Sequence, residues 1–292
     1  MNLRALRLLA LLTVVAAACR GASESASHAE RVVCVSKQLN EFLFAIGAQD
    51  VLVGRDLTSV YPPAIAKITS VGYHRALNAE GIVSLRPTLF LTDGNYGPDE
   101  VTTQLEKVGI PILTLKAGET LTGAEGVLDS LGRRFHRAAA ADSVRAAWQA
   151  GMDSVLRDTL RWAGTKRPRV LIMHFGQIVN DYLALKRGGV AEQVLEWAGG
   201  ENAIDSAGGM MRLTPELIAK AAPDVIIATD VGFDRFGSAQ KFAAMPGVAL
   251  TPAAKNGRIY RIEETDVMYF GPRTPAAIRR MEGFLHPAAP SR

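Results

Sequence analysis

The sequence predicts an α/β protein of two duplicated lobes, each a mainly parallel sheet flanked by helices, joined by one long helix. Three observations carry that expectation. Leu77-Asn78-Ala79-Glu80-Gly81-Ile82 through Pro87 is matched by Leu213-Thr214-Pro215-Glu216-Leu217-Ile218 through Pro223 at a constant offset of 136 residues, and an apolar run ending in Thr-Asp follows each. Such a repeat signals one structural unit used twice. Short apolar runs alternate with helical stripes along the chain, the pattern of parallel sheets with crossover helices. Residues 138–163 hold no proline and are rich in Ala, Arg and Leu, which predicts one continuous helix of roughly 35 to 40 Å at 1.5 Å per residue.

The elements follow in order. Met1 to Arg7 is basic, Leu8 to Val15 is apolar, and Ala16-Ala17-Ala18-Cys19 follows. Residues 1–18 therefore read as an export signal and 19–30 as a small, polar tether. The apolar run falls short of the roughly 20 residues a membrane span needs. Small residues ahead of Cys19 resemble the bacterial lipoprotein cleavage box, although Ala16 stands where that box usually has Leu. The resemblance implies a lipid on Cys19 as the chain's only hold on a membrane, in the periplasm or at an extracytoplasmic membrane face.

Residues 31–136 form the first lobe, with strands at Arg31–Ser36, Val51–Arg55, Leu89–Asp93 and Ile112–Leu115 and helices at Leu39–Ile46 and Asp99–Val108. Residues 137–164 form the connecting helix. Residues 165–287 form the second lobe, with strands at Arg169–Phe175, Val225–Asp230 and Arg258–Ile262 and helices at Val190–Ala198 and Pro275–Phe284. The repeated unit is a short helix capped by Asn78 or Thr214, with Pro215 pre-set for the first turn. Cys34 lies in the apolar run Val32-Val33-Cys34-Val35 and reads as a buried strand thiol; a bridge to Cys19 stays open only if Cys19 carries no lipid.

Composition bounds the function. A chain of 292 residues, 48% apolar and 21% charged, can bury two sizeable cores. Of its 33 basic residues, Arg4 and Arg7 fall in the leader, so the remainder is nearly neutral against 29 acidic residues. Neither a nucleic acid nor a charged membrane surface is implied as a partner. No HExxH, GxSxG, Walker loop or CxxC is present, so no enzyme chemistry is expected. No close-spaced histidine cluster supports a zinc or manganese carrier.

Ligands of open parallel sheets sit beyond the carboxyl ends of the strands. With two lobes face to face, that rule selects Ser36–Gln38, Tyr61, Tyr73–Arg75 and Asp93–Tyr96 in the first lobe. In the second it selects His174–Asn180, Met210–Arg212, Asp230–Phe236 and Glu263–Tyr269. Within this set, Tyr73, His74 and Arg75 place a phenol, an imidazole and a guanidinium side by side behind Gly72. A phenol with a reference pKa near 10 ligates a metal as phenolate, a form that hard Fe(III) and a neighbouring cation both favour. The plain alternative is a half-buried loop tyrosine with a wet hydroxyl.

The segment VGYHRALNAEGIVSLRP from Val71 to Pro87, with FGPRTP from Phe270 to Pro275, resembles the periplasmic haem-binding proteins that feed haem ABC transporters. The likeness spans roughly residues 31 to 287, and its one-helix hinge is that of binding proteins whose lobes move little. It implies Tyr73 as axial ligand of a haem b iron and an ABC permease and ATPase complex as partner of a monomeric carrier. His174 becomes a candidate for the opposite axial position or for a second haem, and His74 a propionate or supporting partner. Arg75 would stabilise the phenolate or pair with a propionate, Arg212 or Arg235 would hold the other propionate, and Met210, Met211, Phe233 and Phe236 would offer apolar surface. Val231 departs from the family, which often has an arginine there. Glu100 and Glu216 resemble the two carboxylates that meet permease arginines, with Glu80 competing in the first lobe. A corrinoid or ferric siderophore carrier of the same fold is the alternative. His28, His136 and His286 are expected to be solvated.

Overall fold

The computed structural model describes residues 30–116 and 118–287. The expected leader, Cys19 and nearly all of the tether lie outside them. The first lobe is a four-stranded, wholly parallel sheet in the order β2 (Leu52–Arg55), β1 (Val32–Val35), β3 (Leu89–Thr92), β4 (Ile112–Thr114). Its helices are α1 (Lys37–Ala45), α2 (Ala79–Ser84), α3 (Glu100–Lys107) and α4 (Leu121–Arg134). Every residue of β1 and β3 is buried, as expected of strands covered on both faces. Cys34 sits fully buried among them, and burial pushes its thiol well above its ordinary value.

Helix α5 (Ala138–Thr159) runs 22 residues between the lobes, close to 33 Å at 1.5 Å per residue, and ends in a 3-10 turn at Leu160–Trp162. Gly151 leaves it unbroken. The glycine is there for close approach: a Cβ at that position would lie 2.9 Å from Cγ and 3.0 Å from Cβ of Pro275, on the C-terminal helix. Gly151→Ala adds up to about 1 kcal/mol of helix propensity, but overpacking costs about 1–3 kcal/mol. The variant is therefore expected to melt below the parent in a thermal scan.

The second lobe is a six-stranded mixed sheet. Strands β10 (Ile259–Ile262), β9 (Val225–Thr229) and β5 (Arg169–Gly176) are parallel, and β7 (Glu201–Asn202) pairs in parallel with the start of β5. Beyond them β6 (Asp181–Leu185) folds back antiparallel on β5, and β8 (Met210–Arg212) antiparallel on β6. Met210–Arg212, expected as a cleft loop, is thus a strand, and β6 directly follows the expected loop segment His174–Asn180. Asn180, at φ 48°, closes the turn into β6, and the five-residue strand is too short to separate from loop by periodicity. The helices are α6 (Val190–Trp197), α7 (Pro215–Ala221), α8 (Asp230–Asp234), α9 (Ala239–Ala243), α10 (Pro252–Lys255), α11 (Thr265–Met268) and α12 (Thr274–Leu285).

The duplicated unit recurs as read. The Asn78 side chain accepts from Glu80 N at the start of α2, and the Thr214 hydroxyl accepts from Leu217 N at the start of α7, each helix leading to a buried strand. One core cluster is continuous between the lobes, from Val32 and Phe42 through Met152 and Val155 of α5 to Val170, Phe270 and Met281. His286 departs from expectation: its ring stacks on Trp162 with centroids 3.6 Å apart, because α12 ends against the 3-10 turn that finishes α5. His136 is exposed.

Candidate functional site

The strand ends of both lobes open onto one cleft of about 370 Å³, lined by Tyr73, His74 and Arg75 from one side and by His174, Gly176–Val179, Leu183 and Met210 from the other. The Tyr73 loop is held at three points. Gly72 adopts φ +99°, a region closed to most side chains, while its carbonyl accepts from Leu57 N at 2.7 Å. Ala76 N donates to Tyr73 O at 2.8 Å, and Gly97 N to His74 O at 2.9 Å. The ring of His74 meets that of Tyr73 edge-on at 4.5 Å. Its Nδ1 lies 3.4 Å from the Thr58 hydroxyl, which in turn donates to Asp56. Arg75 is exposed and has no ion-pair partner among the described residues.

His174 faces the cleft from near the end of β5, paired across the ladder with Leu183, which lines the same wall. Its Nδ1 is 3.3 Å from the Thr229 hydroxyl, so Nε2 is the nitrogen available to a ligand. Burial lowers its pKa, against the pull of Glu264, and burial likewise lowers that of His74. Both are neutral near pH 7, the form that ligates metals.

The floor between the histidines is an ion pair that sequence reasoning did not find. Lys37 Nζ, from α1, lies 2.7 Å from Glu264 Oε2 of the second lobe, with both side chains largely buried. Burial pushes the Glu264 carboxyl up, but Lys37, His174 and His74 outweigh it and leave the pKa below its ordinary value. Tyr269 is a second phenol in the cleft. Burial, with Asp93, Glu264 and Asp56 around it, pushes its pKa far up, so it stays protonated.

Asp230 sits behind this floor and accepts from Glu264 N at 3.3 Å. Burial raises its pKa to about 6. A carboxyl whose folded pKa exceeds its unfolded value contributes stability that is complete below the unfolded pKa and lost as pH rises through the folded one. Buried Asp266, also raised to about 6, adds in the same sense. The buried histidines act in the opposite sense, so the carboxylate contribution is read from a variant: Asp230→Asn is expected to raise the melting temperature relative to the parent by more at pH 7.5 than at pH 5.5.

The expected second-lobe cations lie off the cleft wall. Arg212 shares the sheet face of His174, two strands out, and its guanidinium is held by Asp181 at 3.0 Å. Arg235 lies 4.2 Å over the ring of Phe175 and lines a separate open hollow with Tyr182 and Phe236. Phe233, Phe236 and Met211 pack against the second-lobe core around Phe242, so Met210, 40% exposed, is the one of these four that reaches the cleft. The expected cleft segment His174–Asn180 supplies apolar surface at the hairpin tip, where Ile178 is 63% and Val179 48% exposed. Leu183 completes that wall from β6, a strand the sequence did not reveal.

This chain is similar to several solved structures. The apo periplasmic haem-binding protein RhuT from Roseiflexus sp. RS-1 is 28% identical, with a TM-score of 0.79 over 88% of this chain and 98% of that one. A periplasmic haem-binding protein from Pseudomonas aeruginosa is 28% identical, with a TM-score of 0.78 over 89% and 94%. BhuT, in complex with two haems, is 28% identical, with a TM-score of 0.76 over 88% and 99%. Among curated relatives, an uncharacterised ABC transporter substrate-binding lipoprotein of Bacillus subtilis, YvrC, is 22% identical over 88% of this chain and 80% of its own. The vitamin B12-binding protein of Salmonella choleraesuis is 27% identical over 68% and 72%. The periplasmic binding protein family model matches residues 32–265. The chain belongs to the periplasmic binding protein family.

Proposed function

We propose that this protein is an extracytoplasmic carrier that holds haem b between its lobes and delivers it to an ABC permease and its ATPase. One observation carries the reading: a phenol loop of one lobe and an imidazole of the other line a single cleft with an apolar wall of Phe175, Ile178, Val179, Leu183 and Met210. Tyr73 supplies the iron ligand as phenolate. His174 meets the opposite axial position or the iron of a second haem, Arg75 takes a propionate, and His74 orients the Tyr73 ring. Arg212 and Arg235 reach a propionate only by leaving Asp181 and Phe175. The chain works as a monomer anchored through a lipid on Cys19. A hemin titration followed by absorbance and resonance Raman tests this; a phenolate-to-iron signature supports it, and no Soret shift overturns it.

The vitamin B12-binding relatives support a second reading, a corrinoid carrier. Saturable binding of cobalamin without binding of hemin would select it. Docking to the permease falls to Glu100, the first residue of α3, and Glu216, in the first turn of α7, both exposed. Changing both to Ala is expected to abolish haem uptake through the reconstituted permease while leaving hemin affinity unchanged.

A further inference from the structure

The tail segment FGPRTP supplies none of the residues that line the cleft, yet it is tied into the opposite lobe. Arg273 binds Glu41 through two bonds, Nε to Oε2 at 2.9 Å and a terminal nitrogen to Oε1 at 2.7 Å, between residues 232 positions apart. Its guanidinium also lies 2.8 Å from Asp266 and 4.0 Å over the Tyr61 ring. One helical turn earlier on α1, Gln38 Nε2 donates to Phe270 O at 2.6 Å, and Lys37 pairs with Glu264. Lys37 and Glu41 are four apart, so one face of α1 meets the second lobe at three successive points. The same helix begins in the cleft, where the Ser36 hydroxyl donates to Asp93 at 2.7 Å.

We propose that this face of α1 is a lobe-to-lobe latch that sets the width of the cleft, with Glu41 and Arg273 as positioning residues that never touch the ligand. Glu41 and Arg273 form its fixed end. A bidentate guanidinium–carboxylate pair with little solvent has one good geometry, so it fixes distance and angle together. Lys37 and Glu264 form the end that lies in the cleft floor between His74 and His174, so their pairing depends on how far apart the fixed end holds the lobes. The segment FGPRTP is therefore a spacer for the site. The inference rests on the reading that a ligand is gripped by both lobes at once.

The test uses the full mature chain with Cys19→Ser, spin-labelled at Glu106→Cys and Lys220→Cys, both exposed and one on each lobe; Cys34 is buried and does not label. Inter-lobe distances are measured without hemin in the parent, Glu41→Gln, Arg273→Lys and Arg169→Gln. Arg169 donates to Ala203 O at 3.0 Å within the second lobe, so its loss lowers stability without touching the latch. Glu41→Gln and Arg273→Lys are expected to broaden the distance distribution and speed hemin dissociation about tenfold, and Arg169→Gln to do neither. Glu41→Gln keeps the shape of the side chain, so it remains informative if Arg273→Lys fails to fold. An unchanged distance distribution in folded Glu41→Gln overturns the latch, and a broadened one with unchanged hemin dissociation overturns its link to the site. A parent that does not bind hemin overturns the haem reading, and the distances still decide the latch.

Discussion

Tyr73→Phe is expected to abolish the phenolate-to-iron charge-transfer signature and weaken hemin binding roughly a hundredfold, close to 3 kcal/mol. The substitution removes one oxygen and leaves the ring against His74, so the loop, pinned at Gly72 and at the carbonyls of Tyr73 and His74, has no reason to rearrange. Binding that remains comes from apolar contact with Ile178, Val179 and Met210 and from Arg75. Tyr269→Phe is the matched control, since a phenol surrounded by Asp93, Glu264 and Asp56 in a buried position resists ionisation and is a poor ligand for ferric iron. Its loss should leave the charge-transfer band in place. An unchanged spectrum in Tyr73→Phe, or loss of the band in Tyr269→Phe, removes Tyr73 from the iron.

What was legible in the sequence was local. The paired helices α2 and α7 announce themselves through Asn78, Thr214 and Pro215, whose effects act within one turn of the chain, and β3 and β9 through unbroken apolar runs. The long helix was readable from the absence of proline, and the Tyr73 loop from three chemically distinct side chains behind a glycine. The antiparallel strands β6 and β8 were not readable, because a strand of three to five residues has too few periods to distinguish it from loop. That single omission hid Leu183 as a cleft wall and put Arg212 in a loop it does not occupy. The inter-lobe pairs failed for a different reason. Nothing at Glu41 points to a partner 232 positions away, and a lysine after a serine cap reads as an ordinary first-turn residue. Sequence periodicity reports which face of an element is buried, whereas the chemistry of a seam depends on which two faces meet.

Arg273→Met is expected to be the most destabilising of the changes considered, and its cost should depend on pH in a defined direction. Removing the guanidinium leaves two carboxylates without their shared cation, Glu41 at 7% and Asp266 at 5% exposure. Breaking a buried pair in this way costs about 3–5 kcal/mol, or roughly 10 °C of melting temperature in a protein of this size. Asp266 already titrates at about 6, burial being the main cause and Arg273 the first of the cations that oppose it. Without Arg273 its folded pKa must rise further. Asp266 then contributes stability that is present at low pH and lost as pH rises through its folded value. The deficit of Arg273→Met relative to the parent should therefore be largest at pH 8 and shrink as pH falls toward 5, measured by parallel thermal or denaturant melts. A deficit that stays constant or grows on acidification would mean that the lost packing on Tyr61, rather than the stranded carboxylates, is what the arginine contributes.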